Sequence, residues 1–271
     1  MKSRRQLIRF FLILIWAIAV STTLPACVGS RQNIPSHSQV ASSQLLVSAA
    51  ASLSDVLAEI QLLYTQQNPE IQLVYNFGSS GSLQQQIEQG APVDVFISAA
   101  PKQMDSLEKK GLLLPETRKN LLTNSIVLVV PKTQESMTRF EDLTKDNIQR
   151  IAIGEPESVP AGRYAKEVLT SLNLFEILQS KIIYAKDVRQ VLNYVETGNV
   201  DAGIVYQTDA NLSEKVNIAA TAPTSSHSPI IYPIAVIKDS QEFETAQEFI
   251  TFISGETAKT VFEQNGFKGA S

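Results

Sequence analysis

The sequence predicts an α/β fold of parallel, doubly wound sheets with helices on both faces, and three observations carry that reading. Strand-length apolar runs alternate with amphipathic helical stretches from Leu45 almost to the C-terminus. Strand ends pass into helix starts through small or hydroxylated residues at Ser52, Ser80, Ala161 and the Asp187-Val188 turn. No glycine-rich nucleotide fingerprint, P-loop motif or internal repeat breaks the alternation. In such sheets ligands settle at the carboxyl ends of strands, beside helix N-termini, so these four turns are where a site is expected.

In chain order, Leu45 opens a buried strand that runs through Ala49-Ala50-Ala51-Ser52 into a helix carrying Leu53, Val56, Leu57, Ile60 and Tyr64 on one face. Ser52 with Asp55 three residues on reads as a capping box. Asn68-Pro69 stops this helix, and Ile71, Leu73, Tyr75 and Phe77 alternate as a strand. Gly78-Ser79-Ser80-Gly81-Ser82 then leads into a short helix ending at Gly90. A strand over Val93 to Ser98 and a helix over Pro101 to Lys110 follow. Strands are expected at 125–130, 151–153, 182–185 and 202–205, the last delivering Tyr206. Helices are expected from Tyr164 and from Val188. Pro233 interrupts the apolar run Ile230 to Ile237, which predicts an edge strand or a bulge. Two helices, Glu242 to Ser254 and Glu256 to Gln264, finish the chain.

The front end reads as targeting, not fold. Lys2, Arg4, Arg5 and Arg9 precede the uncharged run Phe10 to Val20, then Leu24-Pro25-Ala26-Cys27. That is a lipoprotein-type signal over residues 1–26, with Cys27 as the lipidated mature N-terminus; Ser3-Arg4-Arg5 also resembles a twin-arginine export signal. Residues 27–43 are Ser- and Gln-rich and read as a flexible tether. Cys27 is the one cysteine in 271 residues, which excludes a disulfide framework, a cysteine-type zinc site and a cysteine nucleophile. Setting aside the four basic residues of the signal leaves 19 of 23 against all 27 acidic ones, a net charge of −8. That balance argues against nucleic acid as a partner.

Catalysis finds little support. His37 in the tether and His227 in a polar loop are the two histidines, and Gly78-Ser79-Ser80-Gly81 lacks nucleophile-elbow spacing. Glu155 and Glu157 flank Pro156 too closely to straddle a scissile bond. Helix N-termini with serine hydroxyls and no basic side chain at the turns instead describe a neutral cage for an oxyanion, built from fixed N–H and O–H dipoles. Arg163 and Arg189 lie one or two residues past such turns and are expected to point away from the cage, into solvent.

The segments AAASLSDVL, FGSSGSL, GAPVDVFISA, GEPESVPAGRYAKEVL, KDVRQVL and GIVYQTDA, in this order between Leu45 and Phe267, resemble the molybdate-binding proteins of bacterial ABC importers. The resemblance implies a two-lobed periplasmic-binding-protein fold, each lobe a doubly wound sheet flanked by helices, with the ligand in the cleft. It puts lobe 1 at residues 44–123 and 221–271 and lobe 2 at 124–220. It implies that Ser52, Ser80 and Tyr206 through their hydroxyls, and Ala161 and Val188 through their backbone N–H groups, hold molybdate or tungstate as the oxyanion, with no direct metal ligand and no cofactor. The resemblance implies the membrane permease as a partner; the signal adds, through Cys27, the membrane on its periplasmic side, with a soluble periplasmic form as the alternative, and a monomer without enzymatic activity is expected. Cys27 departs from a freely diffusing periplasmic form. Alternatives left open are another tetrahedral oxyanion such as sulfate as the ligand, and an extracytoplasmic enzyme acting on an anionic substrate.

Overall fold

The computed structural model describes residues 43–134 and 137–270. The signal, Cys27 and all of the tether before Ser43 lie outside the described residues. The described chain forms two sheets. The first is assembled from β1 (Ser43–Ala50), β2 (Ile71–Gly78), β3 (Val95–Ile97) and β4 (Lys119–Thr123), with α1 (Ser54–Gln67), α2 (Ser80–Glu88) and α3 (Pro101–Lys109) between them. The second takes β5 (Ile126–Pro131), β6 (Ile151–Gly154), β7 (Ile182–Ala185), β8 (Ala202–Tyr206) and β9 (Val216–Thr221). Its helices are α4 (Pro160–Ser171), α5 (Phe175–Leu178), α6 (Val188–Glu196) and α7 (Gln207–Asn211). The chain then returns to the first sheet with β10 (Ile231–Val236), α8 (Phe243–Ile253), α9 (Glu256–Gln264) and β11 (Lys268–Gly269).

The strand orders are β11-β4-β10-β3-β1-β2 and β7-β6-β8-β5-β9. Both sheets are mixed, which corrects the expectation of purely parallel ones. β10 runs antiparallel to β3 and β4, and β5 antiparallel to β8 and β9. These are the strands that follow each passage between sheets. Asn124 and Ser125 alone separate β4 from β5, so the chain enters the second sheet without a crossover helix to set it parallel. Pro233 sits inside the first sheet, between two neighbours, and not at an edge. The register shifts beside it, between Tyr232 and Pro233, and the bulge accommodates the missing N–H.

Alternation across the first sheet decides which helices cover which face. Phe96 and Ala235 pack with Leu83, Ile87, Met104 and Leu107 of α2 and α3. Val95, Ile97, Ile234 and Val236 point the other way, into the main core with Leu57, Ile60, Tyr64, Phe249 and Phe262. In the second sheet the close approach of α4 to β6 requires glycine. A Cβ on Gly162 would lie 1.9 Å from the Gly154 carbonyl oxygen, so only a bare backbone brings the start of α4 onto the end of the strand. No helix among the described residues is long and apolar enough to cross a membrane.

Candidate functional site

The carboxyl ends of β1 and β2 face the N-termini of α4 and α6 across a small pocket. Ser52, Ser80, Ala161, Val188 and Tyr206 all line it, beside Ala99 and Pro160. The five candidate positions, drawn from both sheets, therefore line one pocket. Each of them is nearly or fully buried.

Local chemistry explains how each is presented. After β1 the chain makes a 3-10 turn over Ala51–Leu53 before α1 begins at Ser54. The capping box expected of Ser52 and Asp55 does not form: Leu53 occupies the cap position and no side chain caps the helix. The extra turn lifts the Ser52 hydroxyl off the helix end and sets it 3.1 Å from the Tyr232 hydroxyl. At α2 the capping falls to Ser79, whose Oγ accepts from the Ser82 N–H at 3.2 Å. Ser80 is thereby free to turn inward, where its Oγ accepts from the Ala99 N–H at 2.9 Å.

The second sheet contributes helix starts. Pro160 opens α4 without a side-chain cap, so the N–H of Ala161 belongs to a first turn that has no intrahelical acceptors. At α6 the Asp187 carboxylate caps the Gln190 N–H at 2.8 Å and leaves the Val188 N–H unclaimed by its own helix. Tyr206 ends β8 with its ring buried, and its hydroxyl reaches Ala99 O of the other sheet at 3.4 Å. Burial pushes the Tyr206 and Tyr232 hydroxyls well above the usual phenol range, with Asp209 adding to it at Tyr232, so both stay protonated and able to donate.

The two sheets touch directly around the pocket. The Gly81 N–H donates to Ser158 O at 2.9 Å across the cleft. The two arginines stand outside it, as expected, but not as solvated charges. Arg163 pairs with Glu167 and lies over the Tyr164 ring, 4.3 Å from its centroid. Arg189 corrects the expectation more strongly: it crosses to Asp55 and, at 3.1 Å, to Ser54 on the opposite sheet's α1. Its Nε also lies 3.4 Å from a carboxylate oxygen of the fully buried Asp209. Neither Asp209 oxygen makes a well-formed hydrogen bond. Burial raises this acid to about 7, against the lowering effect of Arg189.

Sequence reasoning missed Tyr232, Asn124, Ala99 and Gly81. Tyr232 stood beside a proline in an apolar run, and Asn124 joins two strands of different sheets; pairing across 108 residues leaves no local pattern to read. Serine and tyrosine hydroxyls and two helix starts line the pocket beside the Ala99 backbone, and the Asp187 carboxylate among the lining residues is engaged as a helix cap.

A family model described as bacterial extracellular solute-binding protein matches residues 45–268. The chain is 45% identical over 256 residues to a Bacillus subtilis protein named as an ABC transporter substrate-binding lipoprotein, covering 94% of this chain and 96% of that one. It is 37% identical over 233 residues to the molybdate-binding protein ModA of Haemophilus influenzae, covering 84% and 91%. Among solved structures, the periplasmic molybdate-binding protein of Azotobacter vinelandii superposes with a TM-score of 0.77 at 26% identity, over 84% of this chain and 100% of that one.

Proposed function

This chain belongs to the bacterial extracellular solute-binding proteins, and from that premise we propose that it captures molybdate, and tungstate with it, for delivery to the permease of an ABC importer. One observation carries the reading: Ser52 and Ser80 of one sheet and Ala161, Val188 and Tyr206 of the other line a single pocket, where the helix starts at Ala161 and Val188 leave backbone N–H groups without intrahelical acceptors. Dipoles fixed in advance replace the water an oxyanion loses, and do so without a countercharge. Molybdenum enters only as the centre of the oxyanion, held through its oxygens, and no cofactor is needed.

We read the pocket as a binding site: the Asp187 carboxylate among its lining residues is committed to the Gln190 N–H. Lobe 1 takes residues 44–123 and 222–270 and lobe 2 residues 124–221, because β9 keeps Thr221 in the second sheet, one residue past the boundary expected from the sequence. Because each lobe supplies part of the cage, the anion favours the closed arrangement through contacts that exist only there. The protein acts as a monomer on the extracytoplasmic side, held to the membrane by lipid on Cys27, in keeping with the lipoprotein name of its Bacillus subtilis relative.

Calorimetric titration of the mature chain with molybdate, tungstate and sulfate tests the ligand, with small-angle scattering of the same samples to follow closure. Molybdate and tungstate should bind tightly and compact the protein. Tight sulfate binding with none to molybdate would reassign the ligand. A Cys27→Ser protein should bind normally but leave the membrane fraction; retention there would refute the anchor.

A further inference from the structure

We infer that Asn124 and Tyr232 are positioning residues that lock the Ser52 hydroxyl as a donor into the pocket, so that the site selects fully deprotonated oxyanions over protonated ones of equal charge. The inference rests on the oxyanion reading above and adds residues outside the five candidate positions.

The direction of each hydrogen bond follows from one fixed starting point. The Ser125 N–H donates to Asn124 Oδ1 at 2.8 Å, and a backbone N–H can only donate. That orients the Asn124 amide, so its Nδ2 faces Thr208 Oγ1 at 2.9 Å and the Tyr232 oxygen at 3.3 Å. Tyr232, fully buried, therefore accepts from Asn124 and has its single proton left for Ser52 Oγ at 3.1 Å. Ser52 then accepts from Tyr232, and its own proton turns away from that ring, toward the pocket it lines. Four groups in series carry the backbone's polarity to the ligand.

Ser80 arrives at the same state by a separate route, because the Ala99 N–H occupies its acceptor side. An oxyanion that keeps a proton meets hydroxyl hydrogens where it needs lone pairs, and one buried donor is left facing another. The placement of Asn124 adds a structural condition. It stands on the two-residue passage between sheets and bonds Thr208 of the second, so the relay is completed by groups from both.

Chromate and hydrogen arsenate at mildly alkaline pH separate this from simple charge attraction. Both are tetrahedral dianions of similar size, and only arsenate keeps a proton. Each is measured by displacement of molybdate from wild type, Tyr232→Phe and Asn124→Asp, with circular dichroism of each protein as the check on folding. Wild type should prefer chromate strongly. In Tyr232→Phe the freed Ser52 hydroxyl can reverse, and the preference should narrow by roughly 2- to 10-fold, the factor one ordinary hydrogen bond supplies. In Asn124→Asp the new carboxylate accepts from Tyr232, which turns the relay around and should narrow the preference further; its charge acts alike on both dianions. An unchanged chromate-to-arsenate ratio in a folded variant, even with weaker molybdate binding, would reduce both residues to packing and overturn the inference. If wild type binds no molybdate at all, the oxyanion reading itself fails and takes the relay with it.

Discussion

Arg189 joins Asp55 across the cleft while its Nε stays beside the buried Asp209 of its own sheet, so one guanidinium serves two carboxylates with very different surroundings. The Asp55 side chain is half exposed and the Asp209 side chain is sealed. Removing either end therefore has unequal consequences.

Asp55→Asn should weaken molybdate binding no more than about 5-fold, the range of solvent-screened ion pairs. Arg189→Gln should be the more damaging change, because Asp209 then lacks its cation. Thermal melts with and without molybdate check this: Arg189→Gln should lower both melting temperatures, and Asp55→Asn chiefly the liganded one. Equal melts for the two variants would contradict the assignment of Asp209 as the dependent partner.

Gly81 touches the opposite sheet through its backbone. A Cβ there would lie 2.5 Å from Ser158 O and 2.7 Å from Ser158 Cα, both backbone atoms that cannot swing aside. Gly81→Ala should hold the lobes apart and cost roughly 1–3 kcal/mol of closure, about a 5- to 150-fold loss of affinity expressed mainly as faster release. Stopped-flow dissociation of molybdate reads this directly; an unchanged release rate would show that closure tolerates the methyl group.

On the proposed reading Tyr206 meets the anion only through its side chain, its hydroxyl turning from the Ala99 carbonyl to the ligand. Tyr206→Phe keeps the buried ring and removes one donor to an anion, worth roughly 1.5–3 kcal/mol, so affinity should fall about 10- to 150-fold. Arg163→Ala is the control: with its guanidinium spent on Glu167 and the Tyr164 ring, affinity and salt dependence should hold. A large loss in Arg163→Ala beside none in Tyr206→Phe would replace the neutral cage with charge attraction.

Asp209 makes a pH-dependent contribution with a definite sign. Its acid is raised by burial to about 7 in the folded protein, opposed by Arg189 and reinforced by Asp187. Between the ordinary carboxylate range and about 7 the folded state holds a proton that the unfolded chain has released. This part of the stability is complete at acid pH and is lost as pH rises through that window. Asp209→Asn should flatten the dependence. Urea midpoints at a series of pH values give the slope, and identical slopes for both proteins would exclude Asp209 as its source.

The strand–helix alternation and the polar turns were legible because each is written in a few consecutive residues. Ser52, Ser80, Ala161, Val188 and Tyr206 were singled out through their turns together with a family resemblance, and the fold does bring them to one pocket. What the sequence hid is non-local. β4, β9 and β11 lack a strong period of two, and β4 and β11 owe their place to pairing with β10 and each other. Ser52 read as a cap because the 3-10 turn that moves it away has no signature of its own. Arg189 read as a solvated charge because its partners, Asp55 and Asp209, are 134 residues before it and 20 after it.

The place of β10 between β3 and β4 also orders events in time. Everything the second sheet needs is contained in residues 126–221, so that half is complete as soon as β9 has been made. The first sheet is then still in two pieces, β2-β1-β3 and an isolated β4, with the gap waiting for a strand that begins at Ile231. A chain emerging N-terminus first therefore builds its middle before its beginning. Ser52 and Ser80 gain their final setting only when the residues from Ile231 onward arrive to close the seam, and a nascent chain halted before Ile231 should show a protease-resistant second half beside a digestible first one.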